Sequence, residues 1–261
     1  MENILYNNKN KFKLITIDIS KIIFYFTFYS FIGFCFESLF GIATKGVLES
    51  RKSFLFGPFC AIYGIGAIIM IWTLKPLKNR PLLLFISSMF IGAITEYLMS
   101  YTCEIFFHFK WWDYSDYFLN IQGRTCLFYM VIWGFLGVAL IKYVNPKLEK
   151  GFLKIKNRIP KKFFFSILLG ISLFFIIDIS LTIFALKCLF AKISIDYSIP
   201  QTNYSVQKLE SYSKFNIFDQ RNLLKIFPNL RIAGSSMDNV FVDTLYSVPK
   251  NYYLKFFDIK K

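Results

Sequence analysis

Long apolar runs alternate with short basic segments along the chain, and five of the runs, at 22–43, 54–74, 81–109, 125–144 and 163–191, approach the roughly 20 residues an α-helix needs to cross a bilayer. The pattern predicts an all-α, polytopic integral membrane protein with about five transmembrane helices and a small C-terminal extramembrane tail. The third and fifth runs exceed a straight crossing and should tilt or extend into water. Met1–Lys21 is polar, and the first run is followed by Lys45 and a glutamate instead of a small-residue cleavage site, so that run is read as an uncleaved insertion signal. The chain divides into an N-terminal segment 1–21, a four-helix membrane core 22–146, a basic loop with the fifth helix over 147–191, and the tail 192–261. In the tail, Val206–Tyr212 and Asp219–Phe227 read as short helices, the second stopped by Pro228 and Asn229.

Composition agrees with a membrane protein. Of 261 residues, 55% are hydrophobic, 20% aromatic and only 18% charged, and mean hydropathy is +0.46. The net charge of +15 sits between the apolar runs, which points to membrane topology and anionic lipid and away from nucleic acid. Lys9, Lys11, Lys13 and Lys21 precede the first helix, and Lys75, Lys78 and Arg80 separate the second from the third. Between the fourth and fifth lie Lys142, Lys147, Lys150, Lys154, Lys156, Arg158, Lys161 and Lys162. The opposite loops carry fewer: Lys45, Arg51, Lys52, Lys110 and Arg124. By the positive-inside rule the N-terminus is cytoplasmic and the tail is external. Five cysteines without a close pair read as small buried hydrophobes. Asn203-Tyr204-Ser205 matches a glycosylation pattern too short to carry weight.

The informative residues are the charges inside apolar runs. Glu37, Glu96, Glu104 and Asp178 would each be disfavoured by about 2.5–3.5 kcal/mol at a bilayer centre, so they should be protonated, paired or turned to a hydrated interior. Ser30, Gly33, Glu37 and Gly41 recur at helical spacing, as do Gly92, Glu96, Ser100, Glu104 and His108, while Gly57, Cys60, Gly64 and Ala67 form a small-residue face. With Arg51 and Arg124 as the cations expected for Glu104 or Glu37, these residues define an intramembrane polar site: Glu37, Glu96, Glu104, Arg51, Arg124 and Asp178. Three readings stay open: carboxylates that pair with arginine and fix packing, a pathway for a proton, ion or polar solute, or catalysis. No catalytic constellation is convincing, and Glu104 with His108 is a weak pair of metal ligands, so no cofactor or metal is expected. Trp111, Trp112, Asp113 and Tyr114 follow the third helix and read as an interfacial anchor. Asp113 could also cap the following turn or bind Arg124.

Tyr29–Glu37 (YSFIGFCFE), Arg51–Gly66 (RKSFLFGPFCAIYGIG), Trp111–Ser115 (WWDYS) and Asn120–Leu127 (NIQGRTCL), followed by Trp133-Gly134, form a set that resembles the bacterial family called putative ABC-transporter type IV, or CmpB-like membrane proteins. Residues 24–146 carry the resemblance. Phe34 stands where the family usually has Trp, and Ala61 where it has Pro. The resemblance implies a multi-spanning protein of the plasma or inner membrane, a permease-like component of a transport system. No G-x-x-x-x-G-K-[ST] loop occurs and Gly-Lys is absent, so nucleotide would bind a separate ATPase subunit. The expected partners are therefore the lipid bilayer, anionic lipids at the basic segment 142–162, that ATPase and a second copy of the chain. Rival readings are a membrane-embedded enzyme acting on lipid or peptide through Glu104, His108 and Asp113, and a non-transporting scaffold or sensor whose tail binds a partner.

Overall fold

A computed structural model describes residues 18–199, 205–234, 237–248 and 252–255. The lysines at 9, 11 and 13 and Asn203-Tyr204 lie outside the described residues. The membrane body consists of α1 (Ile19–Lys45), α2 (Ala61–Leu74), α3 (Pro81–Phe107), α4 (Leu127–Ala139), α5 (Asn145–Arg158) and α6 (Lys161–Asp196). Four helical stretches are long and apolar enough to cross a membrane: α1, α3, the continuous run from α4 through α5, and α6. The run Ala61–Leu77, which is α2 and a following 3-10 turn, is apolar but shorter. The count of about five holds only with this shorter helix included.

Local chemistry explains the boundaries. Asp18 caps α1 by accepting from the Ser20 amide at 3.1 Å, and Gly46 ends it in the left-handed region at φ 70°, which glycine adopts without strain. Pro81 opens α3 at a position where its missing N–H is not needed. The second helix begins at Ala61 and not near 54, because Pro58 and a left-handed Gly57 (φ 69°) interrupt the run. The amides of Leu55 and Phe56 instead donate to Thr182 Oγ1 and Asp178 Oδ1 on α6, both at 3.0 Å.

The basic segment expected to be a loop after 144 is helical as far as Arg158. A π-helical stretch, Leu140–Val144, joins α4 to α5 just before Pro146, whose nitrogen cannot donate to the turn before it. Leu148 and Phe152 of α5 and Ile159 just after it recur at helical spacing, and Phe152 is fully buried against Phe24 and Phe164. A dense run of lysines hides that apolar face in the sequence.

Ion pairs show which segments share an end of the bundle. Lys156 meets Asp18 at 2.9 Å, and Glu149 meets Lys21 at 2.6 Å and Lys75 at 3.8 Å, so the start of α1, the end of α2 and α5 lie together. At the other end lie the loop 46–60, the loop 108–126 and the tail.

The tail is a folded cap. It contains α7 (Ser205–Ser211), α8 (Gln220–Ile226), β3 (Arg231–Ile232), α9 (Val242–Leu245) and β4 (Tyr252–Lys255). Strand β4 pairs antiparallel with β1 (Val47–Glu49), and β3 with β2 (Phe109–Lys110). Leu186, Leu189 and Ile193 on the last turns of α6 pack with Leu223, Phe227 and Ile232 of the tail in one buried cluster. The length of α6 is thus used partly to pack against the tail.

Candidate functional site

Glu96 projects from α3 into the bundle and is 4% exposed. Its carboxylate accepts from the Tyr114 hydroxyl at 3.0 Å on Oε1 and from the Thr125 hydroxyl at 2.9 Å on Oε2. Both donors come from the loop 108–126, so this loop reaches inward to satisfy a buried carboxyl. Glu37 on α1 is half-buried and accepts from the Tyr63 hydroxyl of α2 at 2.7 Å.

Aromatic rings join the two carboxylates into one cluster. Tyr63 lies against Trp133 of α4 with ring centroids 5.4 Å apart, and Tyr114 stacks on Tyr129 at 4.3 Å. Glycines make the close approach feasible: a Cβ on Gly33 would fall 2.3 Å from Tyr63 Cβ, and one on Gly92 would fall 2.3 Å from Trp133 Cβ. The small-residue positions of α1 and α3 therefore admit the two rings that separate Glu37 from Glu96.

The other predicted site residues have different partners. Arg124 binds Glu104 at 2.5 Å, as expected, and its guanidinium lies 5.4 Å from the ring centres of Tyr97 and Tyr101. Arg51 does not pair with Glu37 or Glu104: its Nη2 sits 2.7 Å from Glu49 Oε1. Glu49 is 2% exposed and also accepts from Lys45 at 3.2 Å and from the tail's Asn229 at 3.0 Å. Burial alone would raise the Glu49 carboxyl, but Lys45, Arg51 and the Asn229 amide outweigh it and hold it below the usual range. In the sequence Glu49 falls in a loop outside the apolar runs, and its signal is an acid with Lys45 four residues before and Arg51 two after. Asp178 accepts from the Phe56 amide and, at 3.5 Å, from Thr182, so it anchors a loop to α6.

Asp113 accepts from the Ser115 amide at 3.0 Å and the Ser115 hydroxyl at 2.6 Å, and from the side-chain amide of Asn239 in the tail. Burial opposes its ionisation, and these hydrogen bonds with the Lys110 charge keep its carboxyl below the ordinary range. Asp113 therefore caps a turn and ties the loop to the tail, and its carboxylate is not the partner of Arg124. Trp111 packs on Phe227 with centroids 6.1 Å apart, and the Trp112 indole donates to the Arg124 carbonyl at 2.9 Å. His108 ends α3 at φ 57° and stacks on Phe190 at 4.4 Å. Among the described residues no three of His, Cys, Asp and Glu gather as metal ligands would, so Glu104 and His108 have no third ligand there.

With its four long apolar helices the chain is a multi-pass membrane protein. The profile of the family described as putative ABC-transporter type IV matches residues 24–183, more than half of the 261, and the chain belongs to that family. The match runs past the motifs through most of α6. No curated protein and no solved structure matches the chain. Family and fold together fit a membrane transport component.

Proposed function

We propose that the protein is the permease-like membrane component of an ABC-type transport system, and that Glu37 and Glu96 form the polar site that meets the solute. One contrast carries the reading. Glu49 and Glu104 are neutralised by arginine and Asp178 holds the Phe56 amide and Thr182 through one oxygen, whereas Glu37 and Glu96, among the described residues, are bonded by hydroxyl groups and by no cation. Two carboxylates prepared by neutral donors in an aromatic surround can accept a cationic solute or a proton without breaking a resident ion pair. The arginine-paired acids act as packing elements.

On this reading the basic end of the bundle faces the cytoplasm of the plasma or inner membrane, which puts the tail outside. A separate ATPase would dock at that basic end, where the Lys75–Arg80 turn and α5 are exposed. The enzyme alternative is weakened by the contacts of its own candidates: Glu104 with Arg124, His108 with Phe190, Asp113 with Ser115 and Asn239.

The test is purification of the tagged full chain in mild detergent with quantitative mass spectrometry of co-purifying proteins. A nucleotide-binding subunit in fixed proportion supports the proposal, and its absence across a range of salt concentrations removes the ABC component of it.

A further inference from the structure

Beside the π-helical stretch between α4 and α5 lies a groove of about 370 Å³ on the flank of the bundle, lined by Phe28, Tyr143, Val144, Lys147 and Leu148. Its walls are apolar except at one lip. Phe28 lies nine residues into α1, roughly 13 Å below that helix's first residue, so the groove runs from the basic end down toward the apolar interior. At the lip, Lys147 begins an exposed row with Lys150, Lys154 and Arg158 on one face of α5. The neighbouring acid, Glu149, is already bound by Lys21 and Lys75, and Asp18 by Lys156. None of the four cations in the row forms an ion pair among the described residues.

We infer that this groove is a binding site for one anionic phospholipid of the surrounding leaflet, with the phosphate at Lys147 and an acyl chain along Phe28, Val144 and Leu148. Charge complementarity selects the headgroup, because a row of unpaired cations at the level where the helix leaves the apolar zone attracts anionic lipid and gains little from a zwitterionic one. The apolar wall selects a lipid over a soluble phosphate, since inorganic phosphate leaves those side chains unfilled. Tyr143, 62% exposed beside the lip, suits the same headgroup layer. Two of the lining residues, Tyr143 and Val144, belong to the π-helical stretch Leu140–Val144.

The experiment is native mass spectrometry of the full chain released from nanodiscs containing equal parts of phosphatidylglycerol and phosphatidylcholine. The wild type is expected to retain phosphatidylglycerol over phosphatidylcholine. Lys147→Gln, an exposed change that leaves the fold intact, should lower that retention about fivefold. Val144→Trp fills the groove without altering charge and should lower retention of both lipids. Equal retention of the two lipids by the wild type, unchanged retention in Lys147→Gln, or unchanged retention in a folded Val144→Trp would each overturn the assignment. Displacement of the bound lipid by millimolar inorganic phosphate would also overturn it, by showing a simple anion site.

Discussion

The hydroxyl of Thr125 donates to Glu96 Oε2 across 2.9 Å, and both side chains are buried. The next residue back, Arg124, grips Glu104 two turns further along the same helix. One short strip of loop therefore serves two acids of α3 by different chemistry, a neutral donor for one and a cation for the other.

Replacing Thr125 with Val keeps the shape and removes the donor, leaving a buried acceptor short of a partner. The expected loss is about 1–3 kcal/mol, read as a lowered midpoint of unfolding in detergent. Thr125→Ser should restore most of it, because the hydroxyl is kept.

The Glu104 and Arg124 side chains should be energetically coupled. Each single change, Glu104→Gln or Arg124→Gln, strands a largely buried charge, whereas the double variant strands none. A double-mutant cycle is expected to give a coupling of about 0.5–3 kcal/mol; additive effects would mean the pair contributes nothing.

Gly92→Ala places a methyl group against Trp133 Cβ, where only 2.3 Å is available. Either α3 and α4 separate or the indole moves, at roughly 1–3 kcal/mol. Thermal unfolding with tryptophan fluorescence reads both effects, and Gly170→Ala, which meets nothing within 4 Å, is the control.

Attachment of the tail should weaken in acid. The folded Glu49 carboxyl titrates below its ordinary value of 4.5, so its contribution is fully present above that value and is lost as pH falls below it toward the folded pKa. Asp113, lowered from 3.8, acts in the same direction over a lower range. Limited proteolysis or hydrogen exchange of residues 220–232 should show release on acidification, and Glu49→Gln should remove the part of that response near and just below pH 4.5.

Much of the fold can be read from hydropathy, because a run such as 81–109 announces its helix by length alone. The Glu104 and Arg124 pair was also legible: few cations lie at that end of the bundle, and pairing with one is a common way to accommodate an intramembrane acid. Hydroxyl partners were not legible. Tyr114 and Thr125 lie 18 and 29 residues from Glu96, in a loop, and carry no charge to mark them. Arg51 was assigned to the intramembrane acids because Glu49, in an apparent loop, was not weighed as a buried group. Asp178 had no visible partner because its closer donor is the Phe56 backbone amide, a group every sequence contains everywhere. Helix α5 was hidden for a different reason, since its lysines dominate the average while only one face, Leu148 and Phe152 continued by Ile159, needs to be apolar.

The central claim is that Glu37 and Glu96 meet the transported solute, and reconstituted flux tests it most directly. The full chain with its co-purified ATPase in proteoliposomes would be assayed for ATP-dependent uptake across a panel of cationic amines and metal cations, beside Glu96→Gln and Glu37→Gln. The account predicts that uptake of at least one cation collapses in both variants while their unfolding midpoints stay close to that of the wild type. Wild-type uptake in both folded variants, or no ATP-dependent uptake of any cation by the complex, would contradict it.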